Sequence, residues 1–414
     1  MQLLIRNIRQ LVTVAARGKK VKTGPAMKDL GILEQATVFV EDGTIRWVGP
    51  SADFRETVDP SCHEIDGSSH TVLPGFVDAH THLVFGGSRE NEFAWRSGGM
   101  AYQEIAERGG GILSTMQATR KASKRDLLKS GARRLEEMMR HGTTTVEVKS
   151  GYGLDEDSEI KLMEVIHELA RDHFAEVVPT FLGAHAIPPE FTTAPDAYVN
   201  LVCTRLLPYI AQRHLATFCD VFCEKGYFTV AQTRQIFLQA RANGLKLKIH
   251  ADELNNVGAS ELGAEMHVVS ADHLEHVTDE GILRLKESGT VAVLLPGVSF
   301  FLNHAYAPAR RIVDAGVPVA IASDFNPGSC MSFSMPLMMT IACTHMALAP
   351  EEAITASTLN AAAALSLSER LGSIETGKQA DMVLCEIPNY AYLPYHFGTN
   401  HVSKVIKKGV ILEF

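Results

Sequence analysis

Between Thr71 and Ser329 the chain alternates short strand-like apolar runs with amphipathic stretches, and that alternation restricts the possible folds more than any other feature. The runs end near Ala79, Val148, Ala184, Cys223, His250, His273, Leu295 and Ser323, eight in all. Several of the gaps carry clear helix signals. Ser123 precedes KRDLLKSGARRLEEMMRHG as an N-cap, with Leu128, Leu135, Met138 and Met139 on one face and Gly142 to close the helix. Thr229 and Gln232 are spaced as a capping box at the head of VAQTRQIFLQARANG, and Gly244 ends that helix. Asp155 to Phe174 is a further helical stretch. Eight strand–helix units predict an α/β chain folded as a (β/α)8 barrel. A doubly wound open sheet is the alternative, but no glycine-rich fingerprint follows the first strand.

The two chain ends read as β. QATVFVEDGTIRWVG sets Asp42-Gly43 between two β-branched runs, a strong two-residue hairpin signal. CHEIDGSSHTVLPG repeats the pattern more weakly around Asp66-Gly67, and QADMVLCEI and HVSKVIKKGVILEF are strand-like again at the far end. Residues 1–70 and 371–414 are therefore expected to form one small β-domain flanking a central domain of residues 71–370.

Lysine and arginine total 39 against 48 acidic residues, a net charge of −9 with no basic block, which argues against nucleic acid as the main partner. Arg6 and Arg9 interrupt the opening MQLLIRNIRQLV, so a secretion signal is not expected there. No uncharged apolar run reaches the length of a membrane span. Seven cysteines, an odd and scattered set, argue against a disulfide framework and for a reducing cytoplasm as the default.

The unusual polar residues fall where a barrel carries its chemistry, at the carboxyl ends of its strands. PGFVDAHTHLVF ends the first strand with His80 and His82, which share a face and stand about 6.6 Å apart at Cα. A lone H-x-H is usually structural, so further ligands at matching places are needed. His185 ends strand 3, His250 strand 5, His273 strand 6 and Asp324 strand 8. Three imidazoles and a carboxylate, His80, His82, His250 and Asp324, form a donor set suited to zinc or iron rather than to calcium or magnesium. Glu253, three residues past His250, is placed as a proton shuttle, and His273 as a hydrogen-bond donor to an oxyanion or a further ligand. One metal is expected. Lys149 is the candidate for a carboxylated bridge to a second ion, but nothing else in the sequence requires it. Parity also puts Lys246 and Lys248 on the His250 side of strand 5, an uncomfortable position for lysines.

DAHTH after strand 1, histidines on strands 5 and 6 and the strand 8 aspartate together resemble the amidohydrolase superfamily, and H-x-x-E at His250–Glu253 is similar to its mononuclear branch. FGGSRENEF, ERGGGILST, EVKSGYGL, FLGAHAIPPE, HADEL, SADHLEH, LLPGVSFFL and SDFNPGS jointly resemble the cyclic-amide hydrolases of that branch that open an imidazolone ring bearing a propionate tail. That resemblance implies a β-sandwich side domain, one zinc or iron ion per subunit, a small-molecule substrate and a cytoplasmic homodimer. It also implies Arg89, Tyr152, His185, Asn326, Gly328 and Ser329 around the substrate, and Glu253, His273 and Asp324 in catalysis. An arginine fork suits a propionate carboxylate, while Gly328 and Ser329 are expected to offer backbone and hydroxyl donors.

Overall fold

The computed structural model describes residues 1–100, 104 and 110–413. The chain starts with five strands, β1 (Gln2–Val12), β2 (Ile32–Glu41), β3 (Thr44–Pro50), β4 (His63–Asp66) and β5 (Thr71–Pro74). Eight more follow: β6 (Phe76–Asp78), β7 (Thr143–Lys149), β8 (Glu176–Ala184), β9 (Phe218–Cys223), β10 (Lys246–Ala251), β11 (Ser270–His273), β12 (Val291–Leu294) and β13 (Val319–Ile321). Three strands, β14 (Met382–Cys385), β15 (Val402–Lys407) and β16 (Val410–Leu412), return beside the first group.

Strands β6 to β13 pair in sequence order, all parallel, and a bridge between Thr81 and Phe325 brings the two edges together. This is the (β/α)8 barrel expected from the eight apolar runs, with each strand end within a few residues of its predicted place. The helices between them form for the expected local reasons. Ser123 Oγ accepts from Asp126 N at the head of Lys124–Arg140, and the Thr229–Gln232 capping box opens Val230–Ala242. In Lys124–Arg140 Leu135, Met138 and Met139 are buried as expected, while near the start Leu127 is the buried leucine and Leu128 packs at the margin of the core.

The chain ends build a separate mixed sheet in the order β16-β15-β14-β5-β1-β2-β3, with β4 also on β1. The Asp42-Gly43 hairpin is present, and positive φ at both residues (48° and 75°) gives the turn a twist that suits two antiparallel strands. Asp66-Gly67 is different. Here β4 and β5 both run parallel to β1, on successive parts of it, so the chain steps over at Gly67 and continues forward instead of reversing. Gly67 N donates to Arg6 O and Arg9 N to Gly67 O, beside a bulge in β1, and these bonds hold the step. Thr71–Pro74 thereby joins the small sheet, and the first barrel strand starts at Phe76.

Strand alternation divides this sheet between two cores. Met382, Leu384 and Ile406 pack with Leu3, Ile5 and Val38 in a core of the sheet's own, whereas Val383, Cys385 and Val405 join the barrel core. At that contact Gly142 has φ +89°, and a Cβ there would press on Phe76 and Val383 at 2.9 Å. The same junction carries buried charge. Lys407 Nζ lies 2.7 Å from Asp381 and 3.5 Å from Glu176 at the start of β8, and Arg370 also pairs with Glu176.

Burial pushes the Glu176 carboxyl up, but Arg370 and Lys407 outweigh it and bring its pKa down from 4.5 to about 2. Ionised Glu176 therefore stabilises the fold above its ordinary titration range, and this contribution disappears as pH falls through about 2. Lys407→Met, which leaves Asp381 unpaired, is expected to lower unfolding free energy by about 3 kcal/mol in urea titrations. Glu176→Gln should cost less, and its deficit relative to the parent should shrink as pH falls from 4.5 towards 2.

Candidate metal centre

His80 and His82 follow β6 directly, and their backbone is tied to the segment after β13. Asp324 N donates to His80 O and His82 N donates to Phe325 O, each at 3.0 Å. Below them Ser323 N and Oγ donate to the buried Asp78 carboxylate at 3.0 and 2.5 Å. The bonds that close the barrel thus also set the H-x-H pair beside Asp324. Asp324 itself lies past the end of β13 with φ +49°, so its direction comes from this turn and not from strand parity.

His250 projects from β10 into the same space, its ring 4.5 Å from that of His80. One nitrogen from each of His80, His82 and His250 lies within 4.8 Å of the others. Asp324 Oδ1 stands 3.4 Å from Nε2 of both His80 and His82. His80 Nε2, His250 Nε2 and Asp324 Oδ1 are buried without a hydrogen-bond partner among the described residues. Buried polar atoms are rarely left so, and several converging on one point are the signature of an ion's donors. Imidazole nitrogens and one carboxylate fit zinc or iron. Burial opposes ionisation of Asp324, yet His80 and His82 hold its carboxyl well below the ordinary range.

Beneath the donors lies a group of charged residues absent from the sequence-based site. Asp272 Oδ2 is 2.6 Å from His80 Nδ1, and Asp220 Oδ2 is 3.0 Å from His250 Nδ1. Lys149 Nζ sits 2.7 Å from Asp220, 2.9 Å from Glu147 and 3.5 Å from Asp272. Lys248 Nζ donates to Glu147 at 2.7 Å and to Ala79 O at 2.8 Å. This resolves the lysines of strand 5. Lys248 is fully buried within the ionic group, while Lys246 emerges exposed at the strand's start. Burial would favour a neutral Lys149, but Asp220, Glu147 and Asp272 outweigh it, raise its pKa and favour the ammonium. The sequence signal for this layer was present: charged residues inside the apolar runs TTTVEVK and FCDVFC.

A cavity of about 530 Å³ opens above the donors, and every other predicted site residue lines it. His273 and Leu274 both have positive φ (82° and 71°), a strained pair held by Leu274 N donating to Ala251 O at 3.0 Å. The turn aims His273 between two carboxylates, with Nε2 3.5 Å from Glu253 and Nδ1 3.7 Å from Glu275. Burial would lower its pKa, but Glu253, Glu275 and Asp324 raise it to about 10. Burial raises the pKa of Glu253 to about 7, in spite of His273. His185 donates Nδ1–H to Gly151 O at 3.1 Å and stacks on His82 at 4.8 Å. Burial, with His82 alongside, depresses it to about 3, so it presents a neutral ring. Tyr152 is buried against His82 and His185.

Arg89 starts the helix Glu90–Ser97, and its Nη2 donates to Glu92 Oε2 at 2.6 Å. A Cβ on Gly328 would overlap Arg89 Nη1, so the glycine is what lets the guanidinium lie against that loop. The loop's polar atoms are engaged differently from the sequence-based expectation. Gly328 N and Ser329 N both donate to Asn326 Oδ1, at 2.7 and 2.9 Å, and Ser329 Oγ and Asn326 Nδ2 donate to Asp324 Oδ2, at 3.0 and 2.9 Å. Asn326, Gly328 and Ser329 therefore brace Asp324. Of the Glu107–Thr115 motif, residues 107–109 lie outside the described residues, while Gly111 N donates to Glu92 Oε1 at 3.1 Å.

Residues 71–412 match the family model described as "Amidohydrolase family". Three curated relatives named imidazolonepropionase are 49% identical (Parabacteroides distasonis), 48% identical (Geobacillus kaustophilus) and 47% identical (Symbiobacterium thermophilum). Each alignment covers 99% of this chain, and 98%, 97% and 97% of the respective relative. Among solved structures, an adenosine deaminase from Xanthomonas campestris with bound zinc aligns with a TM-score of 0.74 at 20% identity, over 99% of this chain and 92% of that one. A molinate hydrolase aligns at 0.68 and 17%, over 100% and 94%. These two likenesses bear on the fold alone.

The donor geometry predicts one divalent transition-metal ion per chain, measured by elemental analysis of the purified protein. His82→Ala and Asp324→Ala should each weaken binding by at least about a hundredfold in chelator competition, since even supporting residues of such sites contribute ten- to a hundredfold.

Proposed function

The chain belongs to the amidohydrolase family, among the imidazolonepropionases, and on that premise we propose how its residues act on the substrate. The enzyme hydrolyses the cyclic amide of 4-imidazolone-5-propanoate to N-formimidoyl-L-glutamate in histidine degradation. The reaction breaks the bond between ring carbonyl and ring nitrogen, adds water's oxygen to the carbon and delivers a proton to the nitrogen. In our reading His80, His82, His250 and Asp324 would hold zinc or iron, which would supply Lewis-acid activation of water and of the ring carbonyl.

Two carboxylates face the reacting atoms, and their environments separate their roles. Asp324, held well below the carboxylate range, stays ionised and is the ligand. Glu253, near 7, is matched to accept the proton of the attacking water and return it to the departing nitrogen. His273, kept protonated between Glu253 and Glu275, donates to the carbonyl oxygen as it gains charge. Arg89 provides the observation that carries the substrate assignment: a cation lining the same cavity as the metal-binding histidines, with a planar fork for the propionate. Glu92 holds the guanidinium until the substrate carboxylate engages it. Tyr152 and neutral His185 contact the ring or the tail. Asn326, Gly328 and Ser329 act chiefly through Asp324 and Arg89. The proposal extends to a homodimer in the cytoplasm, for which the family resemblance is the support; among the described residues no helix is long and apolar enough to cross a membrane.

Metal-loaded enzyme given fresh 4-imidazolone-5-propanoate should open the ring and release formimidoylglutamate without ammonia; ammonia release would mark a deaminase instead. Glu253→Gln should keep its metal and lose about 10²–10⁴ in kcat. The kcat/KM of the parent should rise with pH through about 7 as Glu253 ionises, and that limb should vanish in the variant. Arg89→Met and Gly328→Ala should raise KM by roughly tenfold or more, about 1.4 kcal/mol, with metal content unchanged.

A further inference from the structure

Building on the metal-centre reading above, we propose that Lys149 is a positioning residue for the metal, its ammonium fixing the two carboxylates that orient His250 and His80. The same oxygen serves on each side. Asp220 Oδ2 is 2.7 Å from Lys149 Nζ and 3.0 Å from His250 Nδ1. Asp272 Oδ2 is 3.5 Å from Lys149 Nζ and 2.6 Å from His80 Nδ1. An imidazole with a carboxylate at its Nδ1 keeps its proton there and presents the Nε2 lone pair outward, the tautomer a metal takes; His80 makes that hydrogen bond to Asp272, and His250 has the Asp220 carboxylate in place at 3.0 Å. One cation at the barrel axis therefore sets the orientation and tautomer of two ligands on opposite strands.

All four partners are fully buried, so water does not substitute for the ammonium. Lys248 is no replacement either. It lies 2.7 Å from Glu147 and 3.6 Å from Asp272, whereas the cation on Asp220 is Lys149. The dependence is therefore steepest along Lys149–Asp220–His250. His82 has no carboxylate at its Nδ1; Asp220 stands 3.0 Å from His250 Nδ1 but off hydrogen-bond alignment, so both Nδ1 atoms are buried without a formed bond among the described residues.

The test is zinc affinity by chelator competition, with thermal unfolding of the metal-free proteins alongside. Lys149→Met should weaken zinc ten- to a hundredfold while KM changes little and kcat recovers at saturating zinc. Lys407→Met removes an equally buried lysine far from the centre; it should lose stability but keep zinc within about twofold of the parent. In an Asp220→Asn background, Lys149→Met should add less than about threefold, because its route to His250 is already cut. Parent-like zinc affinity in folded Lys149→Met, or an equal loss in Lys407→Met, would overturn the proposal. Should Lys149→Met not fold, the double variant against Asp220→Asn decides: similar affinities support it, and a further tenfold loss refutes it. Failure of the parent to bind zinc or iron would instead overturn the metal-centre reading itself.

Discussion

The structure depends on an ionic group in the middle of the barrel. Most barrels fill this space with branched apolar side chains; here Glu147, Asp220 and Asp272 face Lys149 and Lys248, with no exposure to solvent. Three carboxylates against two ammonium groups leave a negative charge below the imidazoles, where a cation is to be held. Thr180 donates to Glu147 at 2.5 Å and Ser270 to Asp272 at 2.6 Å, so the remaining carboxylate oxygens are engaged as well. Such groups are costly to bury and contribute little to stability compared with apolar packing. What they supply is orientation, which the donors above them require.

A second requirement is local strain. Asp252, His273, Leu274 and Asp324 all have positive φ, and all lie at or just past strand ends, His273 and Asp324 lining the cavity. Regular strand geometry would send successive side chains to alternate faces. The turns re-aim His273 between two glutamates and Asp324 between two histidines, and the barrel-closing bonds at His80, His82 and Ser323 hold them there. The small sheet supports this from the other end. Its alternate residues enter the barrel core, and Lys407 and Arg370 grip Glu176 at the foot of β8.

The charge states at the cavity are separated, as the proposed division of roles requires. Asp324 is kept ionised by imidazoles, His273 protonated by carboxylates, His185 neutral by burial, and Glu253 near neutrality by desolvation. A hydrolase that works without an external base needs such a spread within one pocket.

Much of this was legible in the residues. The eight apolar runs, the Ser123 and Thr229 caps and the Asp42-Gly43 turn are local signals, because helix and strand periodicity and turn chemistry act over a few residues. The convergence of the proposed donors was legible for a related reason: strand ends in a barrel converge, so histidines at the ends of β6 and β10 meet whatever the loops do. Tertiary structure decided what depends on distant partners. Lys149 is held as an ammonium because Asp220 and Asp272 arrive from two other strands to join Glu147 on its own. Asn326 and Ser329 brace Asp324 because one loop folds back on itself, and β4 and β5 extend along β1 because a bulge in β1 lets the chain step forward. The pairings of Lys149 with Asp220 and Asp272 and of β1 with β4 join residues about 60 to 120 positions apart, beyond any local window, while the Asp324–Ser329 loop is close in sequence but takes its fold from the barrel around it.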